Sequence, residues 1–347
     1  MNKGISVVIC CYNSAARLDT TIQYLSMQQP HSSIPWELII VDNNSSDNTK
    51  EAAAAAIKRH GLNVQVTITD QPLKGLANAR SKGIQTAAFE YILFCDDDNW
   101  LFPGYIERSY LILSNNENVA ACGGKGIAVF QNDEIPKRWE RHKRAFAVGA
   151  PSKKEGIIKG NFLFGAGLAF KRSVYNQLVN YGFEQKLSDR VGTKLSSGGD
   201  YELCVQLKLL GYDLYYDSSL QFYHYLPSVR LSDHYLVELS RAFGEAHSIN
   251  VFYDYGLRKH SIPKSFFTVE VLRTFYKVVK GYFLFNNLDR KIETTYQNQK
   301  LQALLKNKNG IRELIENINA IKYKYQFQQE AATRKTILNP TIESTRN

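Results

Sequence analysis

Strand-like and helix-like segments alternate through the first 125 residues, and this alternation is the feature that most constrains the fold. The strand-like runs are nearly continuous in apolar residues, which indicates strands buried on both faces. The pattern therefore predicts a mostly parallel sheet covered by helices on each side. The predicted strands are Ile5–Cys10, Glu37–Val41, Val64–Thr69 and Tyr91–Cys95, and the predicted helices are Ala15–Gln28, an alanine-rich segment ending near His60, and Leu76–Thr86.

The composition is that of a globular protein. The 347 residues are 44% hydrophobic and 22% charged, which excludes a disordered or low-complexity chain. The five cysteines are unclustered and favour a reducing compartment over a disulfide framework. The apolar run near the N-terminus is too short for a signal peptide, and no run of 18 uncharged apolar residues occurs. We therefore expect a cytoplasmic protein without a membrane-spanning helix.

Two changes of pattern divide the chain. The alternation stops near residue 125, and a basic region with 19 Lys and Arg against 11 Asp and Glu follows residue 225. That region is predicted to be helical to about Gln329 and then to form a polar tail. We therefore predict a domain at 1–225, with halves at about 1–125 and 126–225, and a basic helical C-terminal region at 226–347.

The second half of the domain is less regular. Residues 131–160 are polar and basic and are predicted to form a long mobile loop. A helix is predicted to follow Asp200, because leucines recur on one face of that segment. Two short strands are predicted at Asp213–Tyr216 and Leu220–His224.

Acidic residues stand directly after two predicted strands. Asp96, Asp97 and Asp98 follow the fourth strand, and Asp42 ends the second. Taken alone, an aspartate cluster is more often solvated surface, and a helix cap explains Asp42 as well as a contact to a base does. Ligands of α/β sheets nevertheless bind beyond the carboxyl ends of strands. This position favours Mg²⁺ or Mn²⁺ shared with substrate phosphates.

Four segments of the chain resemble, in order, the signature of family 2 glycosyltransferases. They are Val7–Asn13, Ile39–Asp47, Gly75–Ile84 and Phe94–Asp98. The resemblance covers residues 5 to about 225. It implies an inverting enzyme with the Rossmann-like GT-A fold, a mixed, mostly parallel α/β sheet flanked by helices, to which this chain adds a C-terminal helical extension. It also implies a nucleotide-sugar donor and a Mn²⁺ or Mg²⁺ cofactor.

The resemblance implies a nucleotide-sugar site at the matching positions. Tyr12 would lie beside the base, with Cys11 contributing its backbone. Asp42 would hydrogen-bond the base, and Arg80 would reach the base or the diphosphate. The implied nucleotide-sugar-binding residues are Cys11, Tyr12, Asn13, Asp42, Arg80, Asp96 and Asp97.

A metal site follows from the same resemblance. Asp96 and Asp98 would form the D-x-D pair, Asp96 near the ribose and Asp98 on the metal that bridges the diphosphate. His224 would by itself more often be a packed core histidine, but its position resembles that of a family histidine at the metal or diphosphate, which makes the two interpretations about equal. The cation would act as a Lewis acid on the negative charge that develops on the leaving diphosphate.

The general base of the implied reaction is Asp200. Taken alone, Asp200 is better explained as a helix N-cap, but the family's base stands in this segment, usually written Glu-Asp. Gly199 holds the Glu position here, and Glu202, three residues into the helix, is expected near the acceptor. The stretch of Gly165, Ala166 and Gly167 resembles the acceptor side of the family's site, although it is also compatible with a buried strand.

These observations predict an inverting, metal-dependent glycosyltransferase. It would move a sugar from a nucleotide sugar, preferably UDP-linked, to a hydroxyl of a glycan or lipid-linked acceptor in surface polysaccharide biosynthesis. A sugar-1-phosphate nucleotidyltransferase is an alternative, but it needs a glycine-rich basic loop where this chain has Cys11 to Ser14. A non-catalytic glycan-binding protein of the same fold is a second alternative, for which Gly199 is the one indication.

Residues 264–285 are predicted to form an amphipathic helix. Glu270, Arg273, Lys277 and Lys280 fall on one face, and aromatic and aliphatic residues fill the remainder. Such a helix binds an anionic membrane surface or packs on the catalytic domain, and the sequence supports both about equally. The membrane alternative predicts a peripheral protein at the inner face. No helix-turn-helix, RNP or zinc pattern occurs, so no nucleic acid partner is expected.

Overall fold

The computed structural model describes residues 2–133, 135–187, 189–191, 195–282 and 287–338. Within these residues, one nine-stranded mixed sheet carries helices on both faces. The strands are β1 (Asn2–Cys11), β2 (Trp36–Asp42), β3 (Gln65–Asp70), β4 (Phe89–Asp96), β5 (Asn99–Leu101), β6 (Val119–Phe130), β7 (Gly156–Ile157), β8 (Ala169–Lys171) and β9 (Asp213–Leu226). The predicted fold class, with a mostly parallel sheet and a helical C-terminal region, is confirmed.

The helices surround this sheet and continue beyond it. They are α1 (Leu18–Ser26), α2 (Thr49–Arg59), α3 (Leu76–Thr86), α4 (Tyr105–Asn115), α5 (Trp139–His142), α6 (Arg172–Asn180), α7 (Gly199–Leu209), α8 (Asp233–Arg258), α9 (Ser265–Tyr282), α10 (Leu288–Lys306) and α11 (Lys308–Leu338). Every strand and helix predicted in the first 125 residues is present, and α3 has its predicted bounds. None of the described helices combines the length and the apolar character needed to cross a bilayer.

The strand order brings the carboxyl ends of three strands together. The sheet runs β3-β2-β1-β4-β8-β6-β9-β5, with β7 on β9, and β3, β2, β1 and β4 are mutually parallel. In this register Cys11 lies opposite Asp42, and Cys10 lies opposite Asp96. Successive residues of β1 are buried in different cores, as Val8 and Ile9 show, which explains its continuous apolar run. The acidic residues that end these strands therefore share one edge.

Three expectations about local structure are wrong. The two strands expected between Asp213 and His224 form the single strand β9, whose register against β6 shifts between Tyr216 and Gln221. Residues 131–160 contain α5 and β7, and Trp139 and Phe146 are buried there in an apolar cluster, so the segment is folded rather than a long mobile loop. The C-terminal helix continues past Gln329 to Leu338, and the remaining tail lies outside the described residues.

The C-terminal helices pack on the second half of the domain through α8. Helix α8 contacts α7, α10 and α11, and α9 contacts α10. Glu270 of α9 is buried and accepts a hydrogen bond from Lys300 of α10 at 2.6 Å. The expectation that Glu270 lies on an exposed charged face is therefore wrong. Its burial is possible because Lys300 supplies the opposite charge.

Gly124 in β6 tests the close pairing of β6 with β9. A Cβ on Gly124 would lie 1.5 Å from the carbonyl oxygen of Leu220, a backbone atom that cannot rotate away. We expect Gly124→Ala to lower the free energy of unfolding by about 3 kcal/mol, measured from the urea midpoint. Gly160→Ala is the matched control, since nothing lies within 4 Å of its Cβ, and it should change stability by less than about 0.5 kcal/mol. Equal midpoints for the two variants would contradict this packing.

Candidate active site

A cavity of about 360 Å³ opens at the carboxyl edge of β1 and β4. Its lining includes five predicted nucleotide-sugar residues, namely Cys11, Tyr12, Arg80, Asp96 and Asp97. It also includes Gly165, Ala166, Asp200 and His224. The structure therefore brings nine of the predicted residues to one cavity. Asn13, Asp42, Asp98, Gly167 and Glu202 are not part of its lining.

The turn after β1 forms one wall of the cavity. The Cys11 side chain is buried in the core, and its carbonyl oxygen accepts a hydrogen bond from the Asn43 backbone at 2.8 Å. The Tyr12 ring lies 5.5 Å from the Lys74 ammonium. Asn13 has a φ of 50° and ties this turn to the loop after β2, where its side-chain oxygen accepts a hydrogen bond from the Ser46 backbone at 2.8 Å. Cys11 and Asn13 thus shape this turn, and contact of the Cys11 backbone with a nucleotide stays a prediction.

Asp42 lies just behind the cavity wall. It is 6% exposed, and its Oδ1 accepts a hydrogen bond from the Ser45 backbone at 3.3 Å. Its neighbour Asn43 lines the cavity and is fixed by three hydrogen bonds, to the carbonyls of Gln71 and Leu73 and from the Gly75 backbone. Asp42 therefore organises the turn that presents Asn43.

The three aspartates at the end of β4 have different charged partners. Asp96 lines the cavity, and burial raises its pKa although the Arg80 charge opposes the shift. Asp97 pairs with Arg17 at 2.5 Å. Asp98 pairs with Arg230 at 2.9 Å, a residue from beyond β9. Burial would raise the pKa of Asp98, but Arg230 and His224 hold it well below its usual range.

Asp98 and His224 form a two-residue candidate metal site. The His224 Nδ1 lies 2.7 Å from the carbonyl oxygen of Phe146, so the proton of a neutral ring belongs on Nδ1 and Nε2 is left as an acceptor. This Nε2 lies 3.7 Å from Asp98 Oδ1. A metal-bound histidine commonly donates its other ring N–H to a carbonyl in this way. The pair therefore fits a divalent cation that takes its other ligands from phosphates and water.

Two observations limit this site. Among the residues that the structure describes, no three His, Cys, Asp or Glu side chains converge as a complete metal cage. The Arg230 guanidinium also lies 2.9 Å from Asp98 and 3.3 Å from His224 Nε2. A cation on Asp98 and His224 would therefore compete with Arg230 for the same two groups.

Asp200 occupies the first turn of α7 and faces the cavity. Its Oδ2 accepts a hydrogen bond from the Gly165 backbone at 2.9 Å, and its Oδ1 accepts one from the Tyr201 backbone at 2.8 Å. Burial raises the pKa of Asp200 to about 6, and the negative charge of Asp189 acts in the same direction. The carboxylate is thus oriented and has a proton affinity close to that of a base working near neutral pH.

Two residues expected near the acceptor have structural roles instead. Glu202 is fully buried and accepts hydrogen bonds from the backbones of Lys186 and Leu187 and from the Tyr253 hydroxyl. Burial raises the pKa of Glu202 to about 7. Gly167 has a φ of 71°, and its carbonyl oxygen accepts a hydrogen bond from the Tyr105 hydroxyl at 2.8 Å. Neither reaches the cavity, because each is turned towards the core.

Four charged cavity residues were missed by the sequence analysis. They are Arg17, Asp189, Arg190 and Arg230. Arg17 and Arg230 neutralise the aspartates after β4, and Asp189 pairs with Arg80 at 3.0 Å. Asp189 and Arg190 lie in an irregular stretch between α6 and α7, where no periodicity marks them.

The comparisons with known proteins agree on one family. The family model described as Glycosyl transferase family 2 matches residues 6–179. The amylovoran biosynthesis glycosyltransferase AmsB of Erwinia amylovora is 36% identical over 213 residues, which are 60% of this chain and 65% of that protein. A poly-beta-1,6-N-acetyl-D-glucosamine synthase of Staphylococcus epidermidis is 35% identical over 98 residues, 28% of this chain and 22% of that protein. The chain thus covers less than two thirds of the length of each relative.

A solved structure shares the fold. The mannosyltransferase PcManGT from Pyrobaculum calidifontis, in complex with GDP-Man and Mn²⁺, aligns with a TM-score of 0.51 and 12% identity over 98% of this chain and 82% of that chain. At this identity the likeness shows the fold alone. The family model, by contrast, spans about half of the chain, from β1 into α6, and includes the turn after β1, Arg80 and the aspartates after β4. The chain belongs to glycosyltransferase family 2.

Proposed function

We propose that this protein is an inverting, metal-dependent glycosyltransferase that uses a nucleotide sugar. One observation carries the proposal: Asp200 lines the same cavity as His224 and Arg230, the two residues that contact Asp98. An inverting displacement needs a base on one side of the anomeric carbon and charge stabilisation on the other. Loops from one edge of the sheet provide both.

The donor half of the proposal relies on arginines and on the turn after β1. Arg17, Arg80, Arg190 and Arg230 line the cavity, and guanidinium groups suit a diphosphate because they donate several hydrogen bonds in a plane. Tyr12 would lie along the base. Asp42 would hydrogen-bond the nucleotide base. Its partner in the sheet, Cys11, and the next residue in the chain, Asn43, both line the cavity.

The acceptor half relies on Asp200. Deprotonated at neutral pH, Asp200 accepts the proton of the acceptor hydroxyl as that oxygen bonds to the anomeric carbon, and the nucleoside diphosphate leaves on the opposite side. Asp98 and His224 would hold Mn²⁺ or Mg²⁺, which supplies Lewis-acid stabilisation of the leaving diphosphate. Gly165 and Ala166 form the adjacent wall of the cavity, where the acceptor would lie.

Two relatives support a role in polysaccharide assembly. AmsB and the Staphylococcus epidermidis synthase are named for polysaccharide products, amylovoran and poly-beta-1,6-N-acetyl-D-glucosamine. We infer a UDP-sugar donor, a glycan or lipid-linked acceptor, and a role in surface polysaccharide biosynthesis at the cytoplasmic face. Family membership favours this function over a sugar-1-phosphate nucleotidyltransferase.

A membrane surface is a further proposed partner, through α9. The buried side of α9 includes Phe266, Thr274 and Val278. Its outer side exposes apolar side chains, namely Val269, Leu272, Phe275, Tyr276 and Val279, together with Arg273, Lys277 and Lys280. The one acidic residue of α9, Glu270, is buried. Arg273 also pairs with Glu270 at 2.9 Å. Apolar residues beside basic ones suit an anionic lipid surface.

Asp200→Asn tests the base. The amide keeps the shape and cannot accept the proton, so we expect kcat to fall by about 10²–10⁴-fold. Binding of UDP in the presence of Mn²⁺, measured by calorimetry, should change by less than about threefold, because Asp200 does not contact the donor in this proposal. Transfer at the wild-type rate would remove Asp200 from the mechanism.

The pH dependence of the wild type is the control for this variant. Asp200 works deprotonated and has a pKa of about 6, so kcat/KM should fall as the pH drops below 6. The residual activity of the variant should lack this acidic limb. A limb that persists in Asp200→Asn would belong to another group.

Arg230→Gln tests the metal position. Removing the guanidinium frees Asp98 and His224, so nucleotide-free protein should bind Mn²⁺ at least about tenfold more tightly, measured by electron paramagnetic resonance of free Mn²⁺. His224→Ala in the same background should reverse the gain. Unchanged Mn²⁺ affinity in Arg230→Gln would place the cation elsewhere.

The α9 surface is tested by vesicle sedimentation of the full chain. Replacing Leu272, Phe275 and Tyr276 by serine should lower binding to phosphatidylglycerol vesicles by about tenfold or more, because these side chains are 62%, 55% and 64% exposed. The matched control replaces Leu305 and Tyr323, which are 58% and 71% exposed on α10 and α11. Equal loss in the control, or equal wild-type binding to phosphatidylcholine vesicles, would argue against this surface.

A further inference from the structure

Asp189 joins two functional elements from the irregular stretch before α7. Its Oδ1 accepts a hydrogen bond from the Gly199 backbone at 2.8 Å, at the first residue of α7. Its Oδ2 accepts one from Arg80 of α3 at 3.0 Å. Asp189 is 5% exposed and lines the same cavity as Asp200. One carboxylate therefore contacts both the base helix and an arginine of the donor side.

The glycine at 199 is explained by this carboxylate. A Cβ on Gly199 would lie 2.1 Å from Asp189 Oδ2 and 2.7 Å from its Cγ. The third close atom, Gln185 Nε2 at 2.5 Å, is the end of a flexible side chain. Space and not backbone conformation thus requires glycine here. Asp189 fills the volume that a side chain at position 199, where the family usually has Glu, would enter.

The backbone around Asp189 is held in a costly conformation. Asp189 has a φ of 51°, in the left-handed region that residues other than glycine seldom adopt. The adjacent Arg190 carbonyl oxygen accepts a hydrogen bond from the Leu76 backbone at 2.9 Å, which fastens the stretch to the start of α3. Such conformations persist where the surroundings fix them, and here α3 and α7 do so.

We propose that Asp189 is a positioning residue for sugar transfer, supplying from a loop the carboxylate that position 199 lacks. It holds Arg80 and the first turn of α7 in one fixed relation, so that the diphosphate-binding guanidinium and the base address the same anomeric carbon. This inference rests on the proposed glycosyltransferase function. Arg80 needs such a partner, because it also lies over the Phe94 ring at 4.8 Å, in a largely buried position.

Moving the carboxylate tests this role. Asp189→Ala should lower kcat by about 10- to 100-fold, since small misplacements of reacting groups cost that much. It should also raise the KM for the nucleotide sugar, because Arg80 loses its partner. Adding Gly199→Glu to Asp189→Ala should restore kcat to within about tenfold of wild type, as the clash at Gly199 is then relieved. Gly199→Glu alone should be impaired by that clash.

The control separates charge from packing. The double variant Asp189→Ala with Gly199→Gln fills the same space without the charge, and it should remain as slow as Asp189→Ala. Equal rescue by glutamine and glutamate, or no loss in Asp189→Ala, would overturn the proposal. Melting temperatures of all variants identify a folding defect.

A second readout does not need turnover. Binding of UDP with Mn²⁺, measured by calorimetry, should weaken at least about fivefold in Asp189→Ala and recover in the variant with glutamate. Absence of transfer from every nucleotide sugar by the wild type would overturn the proposed function, whereas the comparison of UDP affinities still decides the role of Asp189. Unchanged UDP affinity in Asp189→Ala would count against the coupling to Arg80.

Discussion

Countercharge from distant segments allows adjacent aspartates to end a buried strand. Asp97 is held by Arg17, which precedes α1, and Asp98 by Arg230, which follows β9. Without these partners the carboxylates would repel one another and would be buried without compensation, at a cost of several kcal/mol. The active-site edge therefore depends on the sheet being completed as far as β9. The first four strands alone would not supply the cation that Asp98 requires.

The sequence predicted the elements whose signals are local. Strand periodicity and helix spacing located β1 to β4 and α3, and the strand-end rule placed Asp42 and Asp96 at one edge, whereas Asp200 came from the family resemblance alone. The partners of these residues were not predicted. Arg80 and Asp189 are 109 positions apart, and nothing in a single sequence marks a pairing at that separation. The sequence analysis also divided the long strand β9 into two strands. The division falls where the register of β9 against β6 shifts.

The sequence analysis misplaced two glutamates, because the hydrogen-bond partner of each lies on another segment of the fold. Glu202 was expected at the acceptor and Glu270 on an exposed face, since glutamates are rarely buried unless paired. Glu202 is instead bonded to the backbone of Leu187, and Glu270 to Lys300. In both cases the partner lies on a segment whose position becomes known only with the fold. Burial of a charge is thus a tertiary property that residue type alone does not predict.

The C-terminal helices also brace α7, the helix that carries Asp200. Tyr253 of α8 donates a hydrogen bond to Glu202 at 3.1 Å, and Gln206 of α7 donates one to Tyr253 at 3.0 Å. The family match ends at residue 179, before α7, so both Asp200 and its support lie beyond it. The cavity therefore combines residues from within the match, among them Arg80, Asp96 and Gly165, with Asp200, His224 and Arg230 from beyond it.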